Sequence, residues 1–472
     1  MSHRNRCSYP AIKRFISIFI FFAGLTNIII SNETHAASAV PTPVVSLPPN
    51  VGTVFNTSPK DLTKYGLEEK EFFFEGSTAV GTYKSRMIVR KPVNPRRFNG
   101  TVIVEWMNAS SGNDIDVEFL SLLPLLAERG YAYVGVTSQQ VTVNFLKARY
   151  PDRYSTLTMS DTPTQAAANE VFAQAGKALL DNDGQIDPLG GLHAQRLIAI
   201  GQSQSSGRLI TFINSVHGIS LEPIYAGFIP HAGGAAPSRF PVPILQLNSE
   251  NEAPNFYAYR NVADSLYRYW EVPGTAHQPL ESNDYAHDLL RLVRGSFPDC
   301  PFPYEGPGGP APIDPVMRAA VVHVDAWIRH GRVPPQAPLI DMTPSPTNPN
   351  VGVIQRDQYG NALGGIRLPQ QEVPTGRNTP SYACFITTPI GQIQLATFPQ
   401  WDAFDGGADP AVDPTDTVNA TEPASAKAVY RNHGNYVMRF ARATKAVENQ
   451  GFILKSDAIR MLIEAANSDI AK

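Results

Sequence analysis

The chain has 472 residues, 43% of them hydrophobic, enough apolar material for one large core and too much for a disordered polymer. A formal charge of −3 supplies no basic footprint for nucleic acid or for an anionic membrane surface. With Gly 35 and Pro 41, the composition points to a loop-rich architecture rather than a helical bundle.

The amino terminus reads as an export signal. Arg4, Arg6, Lys13 and Arg14 precede an apolar run from Phe15 to Ile30, and Ala37-Ser38-Ala39 gives an A-x-A cleavage pattern. Residues 1–39 are expected to be removed, with the cut near Ala39 or alternatively after Ala36, and the mature chain to be secreted or periplasmic. Losing the four basic residues and Glu33 moves the formal charge from −3 to −6. No later run is long and apolar enough to span a bilayer, so no stable membrane insertion is expected after cleavage. Cys7 leaves with the signal. Cys300 and Cys384 remain, and in an oxidising compartment they are expected to pair as a disulfide.

Residues 40–64, rich in Pro, Ser and Thr, read as an extended leader onto a domain spanning 65–472. Phe72–Phe74 and Lys84–Arg90 have the composition of early strands, and Asn99-Gly100 marks a turn. Thr101–Trp106 is β-branched, apolar and short, as a strand buried on both faces must be. Phe119–Arg129 carries leucines at helical spacing and is closed by Gly130. A strand over Tyr131–Thr137 and a helix over Ala166–Leu180 follow. Next come a strand over Leu197–Ile200, a helix over Arg208–Val216, and strands over Pro243–Leu247 and Tyr267–Val272. Strands alternating with helices predict an α/β fold with a mostly parallel sheet covered on both faces. From Pro334 to about Pro380 the chain reads as ordered loop, and Ala426–Ala465 returns to a helical pattern. Residues from about 340 to 472 thus form a carboxy-terminal extension of the same domain.

The chemistry concentrates in the segment Leu197–Gly207 (LIAIGQSQSSG), where four apolar residues run into a Gly-x-Ser turn and then a helix. That is the context of a nucleophile elbow, which needs small residues around a serine on a strained backbone. Ser203 is the expected nucleophile. Ser205 stands where a second glycine is usual, and Ser205 and Ser206 are rivals for the role. An acid and a histidine should follow, each just past a strand. The strand Pro243–Leu247 leads to Glu250 and Glu252, and Tyr267–Val272 leads to His277. The histidine would take the proton of Ser203 while a carboxylate fixes its tautomer. Glu252 is favoured for that carboxylate, and Glu250 stays open. His231 and His217 fit the order less well and read as structural or substrate-lining. An oxyanion hole needs two backbone N–H donors. Gln204 should supply one, and Met107 or Asn108, after the Thr101–Trp106 strand, the other. Zinc-helix, phosphate-loop and dinucleotide motifs are missing, so no metal and no cofactor is expected. Asp357–Asn361 reads as turn chemistry.

These segments resemble the "alpha/beta hydrolase domain-containing" family of secreted and bacterial proteins. The likeness is carried by Arg97–Trp106, Gly130–Gln139, Gly201–Gly207, Trp270–His277 and Asp357–Pro369, with further matches at Asn449–Phe452 and Asp457-Ala458. It extends over most of the chain after residue 65. The resemblance implies the α/β-hydrolase fold and a serine-dependent hydrolase, with Ser203 and His277 on its motif positions. It defines no substrate and leaves the acid unresolved between Glu250 and Glu252. The expectation is a serine hydrolase acting on a small-molecule carboxylic ester through an acyl-enzyme. Amide cleavage, acyl transfer and a non-catalytic binding role on the same scaffold are the alternatives.

Overall fold

The computed structural model describes residues 37–472 except 163, 165, 182–185, 283–284, 287, 290–308, 389–390 and 405–422. Its centre is one sheet built from β1 (Val44–Ser46), β2 (Leu67–Thr78), β3 (Gly81–Pro92), β4 (Thr101–Trp106), β5 (Ala132–Val136), β6 (Arg196–Gln202), β7 (Gly227–His231), β8 (Ile244–Ser249) and β9 (Tyr267–Val272). Their spatial order is β1-β2-β3-β5-β4-β6-β7-β8-β9. The pairs β1–β2, β2–β3 and β3–β5 are antiparallel, and every pair from β5 to β9 is parallel. All six residues of β4 are buried, as an apolar strand covered on both faces should be.

Helices cover the two faces. Adjacent residues of β4 point to opposite sides: Glu105 meets the N-terminus of α1 (Val117–Arg129), while Trp106 packs on Phe172, its ring centroid 4.7 Å away. Phe172 belongs to a longer helix over Ala166–Leu180. Numbering Gln140–Arg149 as α2 and the single turn Pro151–Tyr154 as α3, that helix is α4, followed by α5 (Gln204–Ser215) and α6 (Asp314–His330). Phe172 of α4 and Phe212 of α5 pack edge to face at 5.8 Å. On the other side Ser121 of α1 donates to Asp314 of α6 at 2.6 Å.

From β4 the chain crosses to β5 on one side, then returns across β4 to β6 and continues the other way. Loops leaving the carboxyl ends of β4 and β6 therefore diverge, and a crevice opens between them. A buried ionic cluster fixes the loop after β4. Arg86 of β3 binds Glu71 at 2.9 Å and Asp114 at 3.3 Å; Arg90 binds Glu69 at 2.7 Å and also Asp116. Asn56, from the leader, donates to the Asp114 carbonyl and the Asp116 carboxylate, both at 3.0 Å. The leader is thus docked on the sheet and contributes β1.

Sequence periodicity did not anticipate α2, α6 or β7. The last is a five-residue strand interrupted by Pro230, which lacks a ladder donor. Within the stretch expected to be loop, β10 (Met342–Pro344) pairs with β11 (Gly352–Ile354), and a long antiparallel hairpin, β12 (Gly376–Thr388) with β13 (Gly391–Ala403), begins before its end. The carboxy-terminal helices α7 (His433–Gln450) and α8 (Lys455–Asn467) join the main core: Phe452 packs edge-on to Trp270 of β9 at 5.2 Å. Arg318 of α6 binds Asp457 at 2.7 Å. The expected Cys300–Cys384 pair falls outside the described residues, as do residues 1–36. Among the described residues no helix is long and apolar enough to cross a membrane.

Candidate active site

Ser203 sits at the tip of the turn between β6 and α5, with φ 60° and ψ −118°. A side chain rarely tolerates that backbone, and the strain points the hydroxyl out of the sheet edge. Its neighbours explain why small residues surround it. A Cβ on Gly201 would come within 3.0 Å of the Ser205 carbonyl, and one on Gly233 within 3.2 Å of the Ser203 carbonyl. Ser205, which departs from the usual glycine, is buried, and its hydroxyl donates to the Met107 carbonyl at 3.2 Å. Ser206 is buried too and donates to the Gly233 carbonyl at 2.6 Å. Neither rival serine reaches the crevice.

The two later strands bring their residues to the same edge. His277 Nε2 lies 2.8 Å from Ser203 Oγ, and His277 Nδ1 lies 2.6 Å from Glu252 Oε1. The other Glu252 oxygen accepts from the Ser249 N–H at 3.0 Å and the Ser249 hydroxyl at 2.5 Å, which locks the carboxylate. The imidazole side chain is 24% exposed and the carboxylate 7%, so the ring is open to the crevice while its acidic partner stays dry. Burial pushes the Glu252 carboxyl up, but His277, the Ser249 hydroxyl and His231 together hold it below its ordinary range.

Glu250, the alternative partner to the imidazole, lies elsewhere, and the imidazole is bound by Glu252 instead. One of its oxygens accepts from the Gly274 N–H at 2.6 Å and the other binds Arg356 at 2.9 Å. Only Asn251 separates it from Glu252, yet the chain turns between them, and Glu250 holds the loop that carries His277. Gly274 in that loop has φ 74°, and a Cβ there would collide with Gln371. Arg356 leads into Asp357–Asn361, where the Asp357 carboxylate accepts from the Tyr359 and Asn361 N–H groups at 2.9 and 3.0 Å, an Asx turn.

Of the backbone donors, Gln204 is the first residue of α5 and its N–H has no intrahelical acceptor. The Met107 N–H makes only a long bond of 3.4 Å to the Val136 carbonyl. The Asn108 N–H is committed to the Ile115 carbonyl at 2.9 Å, which removes Asn108 as an oxyanion donor. Its side chain has a different task, overlooked in the sequence. Asn108 Nδ2 donates to the Gln202 carbonyl at 3.0 Å, and Gln202 Nε2 donates to the His277 carbonyl at 2.9 Å. These amides tie the β4 loop, the elbow and the histidine loop together.

His231 and His217 are both fully buried, so neither lines the crevice. The His231 carbonyl accepts the Ser203 N–H at 2.9 Å, and its Nδ1 lies 2.5 Å from Glu118 Oε1. Burial pushes this imidazole down, but the carboxylates of Glu118, Glu252 and Asp314 bring it above its ordinary value. Behind it Glu105 is raised well above the carboxylate range by burial and by Glu118 and Asp116. A buried acid–base layer therefore underlies the elbow.

Fold and site together are those of a hydrolase-type elbow on a doubly covered, mostly parallel sheet. The alpha/beta hydrolase domain family matches residues 38–463, and the chain belongs to it. Among solved structures, the chain is similar to an alpha-beta serine hydrolase homologue from Coxiella burnetii, at 13% identity and TM-score 0.32, covering 47% of this chain and 96% of that one. It is likewise similar to the esterase Est22, at 15% identity and TM-score 0.31, covering 49% and 81%. A third likeness is to XC6422 from Xanthomonas campestris, a serine hydrolase without lid, at 16% identity and TM-score 0.30, covering 48% and 96%. No curated protein matches the chain.

Proposed function

We propose that the chain is an exported serine hydrolase that cleaves small-molecule carboxylic esters through Ser203, His277 and Glu252. The reading is carried by the unbroken line of hydrogen bonds from Glu252 to His277 to Ser203, at 2.6 and 2.8 Å, on the carboxyl edge of the sheet. Ser203 Oγ attacks the ester carbonyl while His277 Nε2 takes its proton. Ionised Glu252 keeps the other imidazole proton on Nδ1 and stabilises the imidazolium. The N–H groups of Gln204 and Met107 face the developing oxyanion. The imidazolium returns the proton to the leaving alcohol, and water, activated by the same base, releases the acid. Fluorophosphonate is expected to label Ser203, and Ser203→Ala to lose both labelling and ester turnover; turnover retained in that variant refutes the assignment.

Export belongs to the same proposal, with cleavage after Ala36 rather than near Ala39. The Ser38 N–H donates to the Ser220 carbonyl at 3.0 Å and the Ser38 carbonyl accepts from the Glu222 N–H at 2.8 Å. A cut after Ala36 leaves that pairing intact, whereas one after Ala39 removes it. Amino-terminal sequencing of the exported protein decides between them.

A further inference from the structure

Most buried arginines in this chain are matched by carboxylates. Arg86 has Glu71 and Asp114, Arg90 has Glu69 and Asp116, and Arg318 has Glu281 and Asp457. Arg208 is different. It is half-buried on α5, and among the described residues no carboxylate comes within ion-pair distance of it. Asp161 is the acidic group that acts on it, from further away, and its Oδ1 is already engaged by the N–H groups of Thr162 and Ala167 at 2.8 and 3.1 Å.

Arg208 also lies on the helix that starts directly after the nucleophile. It follows Gln204 by four residues and shares its helix face, and helical side chains lean toward the N-terminal end, here the end that carries Ser203. With the Gln204 amide oxygen turned to the guanidinium, Arg208 donates from Nε at 2.9 Å and from Nη2 at 3.3 Å. The Gln139 amide, just past β5, braces that arrangement by turning with it, its N–H then donating to the Gln204 oxygen at 2.7 Å and its oxygen accepting from the Gln204 amide N–H at 3.2 Å. A guanidinium has five N–H donors in a rigid fork, so those not directed at Gln204 remain to bind an anion. Chain geometry bounds the distance: one Cα step, one glutamine side chain and one hydrogen bond place Arg208 Nε within about 12 Å of the Ser203 Cα.

We propose that Arg208 recognises a carboxylate on the acyl part of the substrate, so that the preferred substrates are half-esters of short dicarboxylic acids. The inference rests on Ser203 being the nucleophile. A five-carbon diacyl chain bonded to Ser203 Oγ, plus one hydrogen bond, covers the bounded distance. In the reaction Ser203 Oγ bonds to the acyl carbon and the bond to the alcohol oxygen breaks. The alcohol leaves with the proton held by His277, and water then frees the diacid.

The test compares monomethyl glutarate with methyl valerate in a pH-stat, for the wild type, Arg208→Gln and Arg208→Lys. The readout is the ratio of the two kcat/KM values, which cancels any general loss passed through Gln204. The wild type is expected to favour the anionic ester at least tenfold, Arg208→Gln to bring the ratio near one, and Arg208→Lys to restore part of it. A wild-type ratio near one, or a ratio that Arg208→Gln leaves intact, overturns the proposal. If neither ester is turned over and fluorophosphonate leaves Ser203 unmodified, the nucleophile assignment is what has failed. Glutarate itself then decides on Arg208: a rise in Tm of Ser203→Ala that vanishes when Arg208→Gln is added supports the anion site, and no rise overturns it.

Discussion

Glu250 and Glu252 stand two residues apart with the same chemistry, and the structure gives them tasks that substitution to glutamine separates. In Glu252→Gln the side chain still reaches His277 Nδ1 at about 2.6 Å, but it is neutral and its amide can donate there. Donation to Nδ1 forces the imidazole proton onto Nε2, 2.8 Å from Ser203 Oγ, and the base is then blocked. The comparable change from carboxylate to amide in a serine-protease triad removes about four decades of kcat. A loss of about 10³–10⁴ in kcat is expected here, equivalent to about 4–5.5 kcal/mol of transition-state stabilisation. Glu250→Gln leaves the triad whole. A single amide oxygen can satisfy either the Gly274 N–H or Arg356, not both as the carboxylate does at 2.6 and 2.9 Å. The expected effect is about 1–3 kcal/mol of stability and a kcat/KM reduced less than tenfold, through a loosened histidine loop. Initial ester-hydrolysis rates, fluorophosphonate labelling rates and thermal unfolding of both variants make the test. The reasoning is refuted if Glu250→Gln loses three decades of kcat while Glu252→Gln stays within tenfold of the wild type.

Three further outcomes follow from single observations. Ser203→Gly is expected to unfold a few degrees above Ser203→Ala, because glycine relieves a φ of 60° with ψ −118° that costs alanine about 1–3 kcal/mol; equal Tm values refute strain at the elbow. Burial pushes the His217 imidazole down to about 4, so between pH 4 and about 6.5 the unfolded chain binds a proton that the folded one rejects. Stability is therefore fully retained above about pH 6.5 and falls on acidification to pH 4, by about 3 kcal/mol from this group alone; urea midpoints should show that His217→Phe flattens the slope. Gln202→Met removes the donor to the His277 carbonyl at 2.9 Å and should lower kcat/KM by one to two decades while leaving the Ser203 backbone bond to His231 in place.

The sheet was legible where strands are apolar and short, as at Thr101–Trp106 and Leu197–Ile200, because such runs are stable only when covered on both sides. It was illegible where local chemistry argues against the structure formed. β7 contains Pro230 and is kept as a central strand by neighbours on both sides, a tertiary effect that no window of sequence contains. The helix Gln140–Arg149 has only Thr142, Val143 and Leu146 buried, too weak a stripe to read as a core-facing face. The hairpin β12–β13 lies in sequence dense in Pro, Gly and Thr, which reads as turn and loop although the two strands are consecutive in the chain.

At the site, the sequence could name residue types and chain order but not direction. An elbow announces itself because the strained turn, the small neighbours and the serine are all local to Gly201–Gly207. Whether Glu250 or Glu252 faces the histidine depends on how the chain leaves β8, and that is decided by Ser249 donating to Glu252 while Gly274, twenty-four residues away, claims Glu250. The same holds for Asn108: its backbone N–H is taken by Ile115 across a loop pinned by Arg86 and Arg90 from another strand. The groups that set the geometry of this crevice, Gln202, Asn108, Glu250 and His231, are polar residues whose partners are remote in sequence. In a buried site each such group must find a partner or destabilise the fold, so satisfying them fixes the relative positions of Ser203, His277 and Glu252. The residue types of the proposed triad were visible because such chemistry demands them, and their alignment was hidden because packing, not chemistry, supplies it.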